Sequence, residues 1–89
     1  MMKPGDNFGG FRLIRELGSG ATGRVYLAEQ TNLGRECALK ILAPELVKDR
    51  TFLERFRREG RIAASLRHAG IVRIFDLVEC ESGFALAMD

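Results

Sequence analysis

No stretch of this 89-residue chain approaches the ~20 consecutive apolar residues needed to cross a bilayer. The start, Met1-Met2-Lys3-Pro4-Gly5-Asp6, lacks the apolar core of a signal peptide. Cysteine is scarce. Cys37 and Cys80 stand alone, with no C-x-x-C pair and no Cys/His cluster, so a zinc site is not expected and no metal ligands are assigned. A disulfide between them is left open, but nothing suggests secretion, and a cytoplasmic, reduced protein is the expectation. Neither sign of charge dominates: 14 Lys and Arg stand against 12 Asp and Glu, a net charge of +2 that does not indicate nucleic acid. Five arginines fall between Arg50 and Arg61, interleaved with Glu54 and Glu59, which reads as a solvated helix face.

What is present fits one small domain or part of a larger one. A chain of this size buries only about 60–65% of the surface its unfolded form exposes. Hydrophobic residues make up 46% and charged residues 29%, an ordinary globular balance that argues against disorder. There is no internal repeat, low-complexity segment or interdomain linker. Residues 1–10 read as a polar, Gly-rich lead-in. Strands are expected at Phe11–Leu17, Arg24–Ala28, Glu36–Leu42, Ile71–Val78 and Phe84–Met88, from β-forming residues bounded by turn signals such as Asn32-Leu33-Gly34 and Glu81-Ser82-Gly83. Ala43-Pro44 ends the third. Between the third and fourth, Thr51 and Glu54 have capping-box spacing, which predicts a helix from Thr51 to about Arg67, broken by Ala69-Gly70. The order is βββαββ. Sequential hairpins favour an α+β fold, a five-stranded antiparallel sheet with one long helix on it.

Gly18-Ser19-Gly20-Ala21-Thr22-Gly23 is a G-x-G-x-x-G run. Alone it fits a flexible hairpin turn as well as a phosphate cradle, in which glycines let backbone N–H groups approach phosphate oxygens with no Cβ between. A dinucleotide-binding fold needs a helix directly after the glycines. Val25-Tyr26-Leu27 follows instead, so two antiparallel strands flank the loop as a flap. Glu36 lies near the spacing of a ribose-binding acid, but Asn32-Leu33-Gly34 makes a turn where a crossover helix belongs.

Lys40 sits in Cys37-Ala38-Leu39-Lys40-Ile41, where alternation puts it on one face with Ala38. A strand lysine usually just meets water; beside a small residue it also leaves room for something flat and anionic. In the helix, Phe52, Phe56, Glu59, Ala63 and Leu66 share one stripe about 80° wide. A carboxylate on a buried stripe needs a cation. Lys40 is the best-placed candidate, and solvent at the stripe's edge or Arg55 are the alternatives.

Glycine loop, Val25, Ala38-x-Lys40 and a helix glutamate therefore occur in one order, as GSGATGRV, CALK and FRREG. The set resembles the N-terminal lobe of the protein kinase family over nearly all of residues 8–89. The stretch FLERFRREGRIAASLRHAGIVRIFD looks most like bacterial serine/threonine kinases. The resemblance implies that Gly18, Ser19, Gly20, Ala21, Thr22 and Gly23 cover the phosphates of ATP. It implies that Lys40 binds the α- and β-phosphates, held by Glu59. Leu17, Val25 and Ala38 would roof the adenine, with Met88 as gatekeeper behind it and Ile74 packed behind the helix. For these apolar residues ordinary sheet packing is the plain alternative. His68 matches a structural loop histidine, although Ala69-Gly70 replaces the family's usual Pro. Cys37 and Cys80 match no family role.

Asp89 matches the first hinge residue, which is usually Glu. The catalytic-loop Asp and Asn and the Mg²⁺-binding Asp of D-F-G do not occur in these 89 residues. Residues 11–89 are thus expected to be a partial kinase domain, the N-lobe up to the hinge, whose partners are ATP, the second lobe and a protein substrate with a Ser or Thr acceptor. Mg²⁺ would belong to the full-length enzyme, and a membrane anchor could lie downstream. Two other classes compete. A stand-alone interaction module would keep the lobe's fold without catalysis. A dinucleotide-binding fragment would require a helix at Arg24–Ala28.

Overall fold

The computed structural model describes residues 2–65, 74–81 and 83–88; the side chains of 59–65, 74 and 75 lie outside the described set. The first hairpin turns at Gly9-Gly10. Both residues have positive φ, 49° and 88°, as a type I′ hairpin demands, and Phe8 pairs with Phe11 across them. Strand β1 (Asn7–Phe8) therefore joins β2 (Phe11–Gly20), followed by β3 (Gly23–Gln30) and β4 (Arg35–Leu42). A short helix α1 (Pro44–Val47) and a long helix α2 (Arg50–Ser65) precede β5 (Ile74–Cys80) and β6 (Gly83–Met88). The sheet order is β1-β2-β3-β4-β6-β5, and every neighbouring pair is antiparallel.

The expected α+β architecture, an antiparallel sheet with one long helix, is the one the chain adopts. Among the described residues the sheet has six strands where five were expected. The added strand is too short for alternation to reveal, and the positive-φ glycine pair creates it. Pro44 does not simply end β4. It takes the first turn of α1, where its missing N–H is not needed. Strand β2 runs past Leu17 to Gly20, because Gly18, Ser19 and Gly20 stay paired with Val25, Arg24 and Gly23. The glycine motif is thus a strand-borne hairpin whose turn is only Ala21-Thr22. No helix forms at Arg24–Ala28, which removes the dinucleotide-binding alternative.

Helix α2 begins one residue earlier than the capping box implied, and with a different cap. The Phe52 N–H donates to Asp49 Oδ1 at 3.1 Å, and Leu53 N–H makes the first helical bond to the Asp49 carbonyl at 3.0 Å. Asp49 is the N-cap, and Thr51 lies inside the first turn. Aspartate caps well because its carboxylate satisfies an orphan N–H at the positive end of the helix dipole. Asp49→Ala is expected to lower stability by about 1 kcal/mol, and Thr51→Ala by less than about 0.5 kcal/mol. Urea unfolding of both variants, in a chain extended through the whole kinase domain, checks the order; equal losses would contradict it. The expected helix end at Arg67 and strand start at Ile71 lie outside the described residues.

The two faces of the sheet differ. One is dry: Phe8, Phe11, Leu13, Tyr26, Ala28, Cys37, Leu39, Val78, Ala85 and Ala87 form one buried cluster. Burying such side chains stabilises by roughly 1.5–3 kcal/mol for each large one. The first residues cover this face, and Phe8, fully buried, is part of its core. The other face carries Lys40.

Candidate functional site

Register builds the site. Gly18 pairs with Val25, Val25 with Lys40, and Lys40 with Leu86. Cross-strand partners share a face, so these four form a row. The next row runs Leu27, Ala38 and Met88. The structure thus brings Gly18, Val25, Ala38, Lys40 and Met88 together on one face, as alternation suggested for Ala38 and Lys40. Leu17 sits in the irregular step between the Glu16 and Gly18 pairings and is 46% exposed. Ser19, Ala21 and Thr22 are exposed at the hairpin end. Lys40 is half-buried, and among the described residues no carboxylate forms an ion pair with it.

The three glycines of the motif are not equivalent. A Cβ on Gly23 would lie 2.1 Å from the Ile41 carbonyl oxygen, and its φ is +155°, so close packing against β4 demands glycine there. A Cβ on Gly18 or Gly20 would meet nothing within 4 Å. Neither has a φ in the left-handed range. Within the motif, packing among the described residues therefore requires glycine at position 23 and not at 18 or 20. The Arg24 and Glu16 side chains close over the hairpin at 3.5 Å.

Helix α2 lies on the Lys40 face. Phe52 and Phe56 stack at 5.9 Å between centroids, and Phe56 meets the edge of Phe84 on β6 at 5.6 Å. Phe84 and Leu86 alternate with buried Ala85 and Ala87 of the dry face, so the helix and Lys40 share one side of the sheet. The Glu59 side chain, its expected pairing with Lys40, His68 and Asp89 lie outside the described residues, as does the side chain of Ile74.

Arg57 departs from the solvated face expected of the arginine cluster. Its guanidinium donates to Glu79 Oε1 at 2.6 Å and lies 5.4 Å from the centroid of the Phe84 ring. It pins α2 to β5 and β6 by a charge-assisted bond and a cation–π contact. Helical spacing alone could not find this, because both partners are more than twenty residues away. Arg50, Arg55 and Arg58 are exposed as expected. Cys37 and Cys80 are not joined by a disulfide, and Cys37 is buried in the dry face. Among the described residues no His, Cys, Asp and Glu cluster could hold a metal ion, and no helix is long and apolar enough to cross a membrane.

A strand-borne glycine hairpin, a strand lysine beneath it and a helix on the same face define the N-lobe architecture of one enzyme class. The protein kinase domain family matches residues 11–89, and the chain belongs to that family. Similar proteins include bacterial serine/threonine kinases. Serine/threonine-protein kinase pkn2 of Myxococcus xanthus is 43% identical over 81 residues, 91% of this chain and 10% of that protein. Serine/threonine-protein kinase PknF of Mycobacterium tuberculosis is 42% identical over 85 residues, 96% of this chain and 18% of that protein. The crystal structure of the M. tuberculosis PknI kinase domain superposes with a TM-score of 0.85 at 36% identity, covering all of this chain and 36% of that one. The chain therefore spans less than a fifth of the length of these curated relatives.

Proposed function

We propose that this chain is the ATP-binding N-lobe of a serine/threonine protein kinase, which in its full-length form transfers the γ-phosphoryl group of ATP to Ser or Thr hydroxyls of a protein. One observation carries this: Gly18, Val25 and Lys40 lie in a single cross-strand row, and at Gly18 and Gly20 nothing in the fold accounts for the missing side chain. Glycine there is explained by a ligand that comes close to the backbone. The open space where a Cβ would project, beside a lysine with no described carboxylate partner, fits a polyphosphate.

Each residue then has a task. The exposed backbone from Gly18 to Gly23 offers N–H donors to the phosphates, flanked by Ser19, Ala21 and Thr22. Lys40 holds the α- and β-phosphates in a geometry suited to in-line transfer. Glu59 orients Lys40. It stands three residues after Phe56, on the helix stripe that meets the sheet, which supports the pairing. Val25, Ala38 and Leu17 roof the adenine, and Met88, beside Ala38 in register, closes its rear. ATP, when bound, supplies the transferable phosphoryl group. Mg²⁺ and the groups that orient the acceptor hydroxyl belong to a second lobe, through D-F-G and catalytic-loop residues of the family pattern. We place the domain in the cytoplasm, where ATP is available.

Radiolabel transfer from [γ-³²P]ATP tests this division of labour. The 89-residue chain is expected to give no turnover, and a chain extended through the second lobe to phosphorylate itself or a general Ser/Thr substrate. Robust transfer by the short chain would refute the assignment. An extended chain that neither binds nor turns over ATP would favour the non-catalytic module.

A further inference from the structure

We propose that residues 2–8 form a strap across the face of the sheet opposite Lys40, and that Tyr26 is the positioning residue through which this strap holds the root of the glycine hairpin.

The strap is well anchored. Gly5 N–H donates to the Leu13 carbonyl at 2.8 Å, and Leu13 N–H donates to the Asp6 carbonyl at 2.9 Å. A turn within the strap is closed twice, by Asp6 N–H to the Lys3 carbonyl at 3.0 Å and by Lys3 N–H to Asp6 Oδ2 at 3.0 Å. At one end Phe8 is fully buried and reaches the β5–β6 turn, where a Cβ on Gly83 would lie 3.8 Å from its ring. At the other end the Tyr26 hydroxyl donates to the Met2 carbonyl at 2.9 Å. These residues lie outside the 11–89 match to the kinase family, yet they cover the dry face of the lobe.

Tyr26 connects this cover to the hairpin. It is 2% exposed and points into the dry face, while its neighbours Val25 and Leu27 point to the Lys40 face. Only Arg24 separates it from Gly23. All residues from Arg15 to Thr22 are exposed, so few contacts hold the hairpin. Its other described supports are the β2–β3 pairing itself, the exposed Arg24–Glu16 ion pair, the tight seat of Gly23 against Ile41 and the bond from Ala43 N–H to the Thr22 carbonyl at 2.9 Å. Met2, Gly20, Gly23, Tyr26 and Ile41 also bound a pocket of about 520 Å³, so the hairpin has open space behind it when the strap moves. A tether that restricts β3 from behind therefore restricts the hairpin in front. Such pre-organisation strengthens ligand binding by reducing the ordering needed on association.

The nucleotide part of this inference rests on the function proposed above, so the test has two readouts. In a chain extended through the whole kinase domain, Tyr26→Phe removes the hydroxyl and keeps the buried ring. Asp6→Ala loosens the turn of the strap without touching β3. Hydrogen exchange followed by mass spectrometry reads the hairpin peptide against the β5–β6 peptide. Both variants are expected to speed exchange in the hairpin about fivefold, equivalent to ~1 kcal/mol, the net worth of one hydrogen bond, with β5–β6 unchanged. The KM for ATP should rise by a similar factor while kcat stays within about twofold, since uniform binding is lost and chemistry is not. Unchanged hairpin exchange in both variants overturns the strap. An effect of Tyr26→Phe alone, or equal acceleration in β5–β6, also overturns it, because the tyrosine would then act locally or through global stability. An unmodified extended chain that does not bind ATP would sink the nucleotide reading, and hairpin exchange would still decide the strap.

Discussion

Replacing Lys40 by methionine in a chain extended through the second lobe is expected to abolish phosphoryl transfer while leaving the fold in place. The side chains are similar in length, and Lys40 is half-buried with no ion pair among the described residues, so its loss removes no described stabilising pair. Methionine places an apolar thioether in the row between Val25 and Leu86, which that face tolerates. What disappears is the cation that the proposed function directs at the phosphates. Removing one preorganised electrostatic contact to a developing charge typically lowers kcat by about 100-fold to 1,000-fold, or ~3–4 kcal/mol. Transfer from labelled ATP should drop by at least that factor, with the melting temperature unchanged within a few degrees. Full activity in the Lys40→Met variant would show that the role assigned to this lysine is wrong. Lost activity accompanied by unfolding would assign it to structure instead.

The glycine motif should divide when its members are changed one at a time. Gly23→Ala drives a Cβ to 2.1 Å from the Ile41 carbonyl oxygen and 3.0 Å from the Leu42 Cα, both backbone atoms that cannot rotate away. Relief requires β3 and β4 to move apart at this point. We expect a loss of about 2–3 kcal/mol, or roughly 5–10 °C in melting temperature for the extended domain. Gly18→Ala and Gly20→Ala meet open space and should change stability by less than about 0.5 kcal/mol. Their methyl groups would instead stand where a phosphate approaches the backbone. At position 18 the methyl would project onto the Lys40 face, from the same row. Affinity for a nucleotide is therefore expected to weaken about tenfold, ~1.4 kcal/mol, with the melting temperature maintained. Calorimetry for binding and thermal denaturation for stability separate the two outcomes. Equal destabilisation by all three would make the motif an ordinary tight hairpin. A stable Gly18→Ala protein with unaltered nucleotide affinity would remove the phosphate cradle.

Much of the molecule was legible because its determinants are local. Alternating β-forming residues between turn signals marked the five longer strands. The stripe through Phe52 and Phe56 predicted the face by which α2 meets the sheet, and Phe56 meets Phe84 there. The ordered set of glycine loop, Val25, Ala38 and Lys40 pointed to the kinase family, to which the chain belongs. Where local rules competed, the choice was wrong. Asp49 and Thr51 are both good caps two residues apart, and only the path of the chain entering α2 made Asp49 the acceptor. The β1–β2 hairpin had a signal in Gly9-Gly10, but two-residue strands are shorter than the pattern that alternation needs.

By itself the sequence determined the order and type of the main elements and the identity of residues that share a strand face, since both follow from periods of two and 3.6. Tertiary structure decided what depends on partners distant in the chain. Gly23 is obligatory only because β4 brings the Ile41 carbonyl against it. Arg57 leaves the solvent-facing set because β5 and β6 offer it Glu79 and Phe84. A polar, glycine-rich opening segment becomes the cover of a dry face because that face, once its strands pair, presents Phe11, Leu13 and Tyr26 together and must be shielded from water. Each outcome arises from steric exclusion, charge pairing or desolvation between groups whose separation in sequence says nothing of their distance in space.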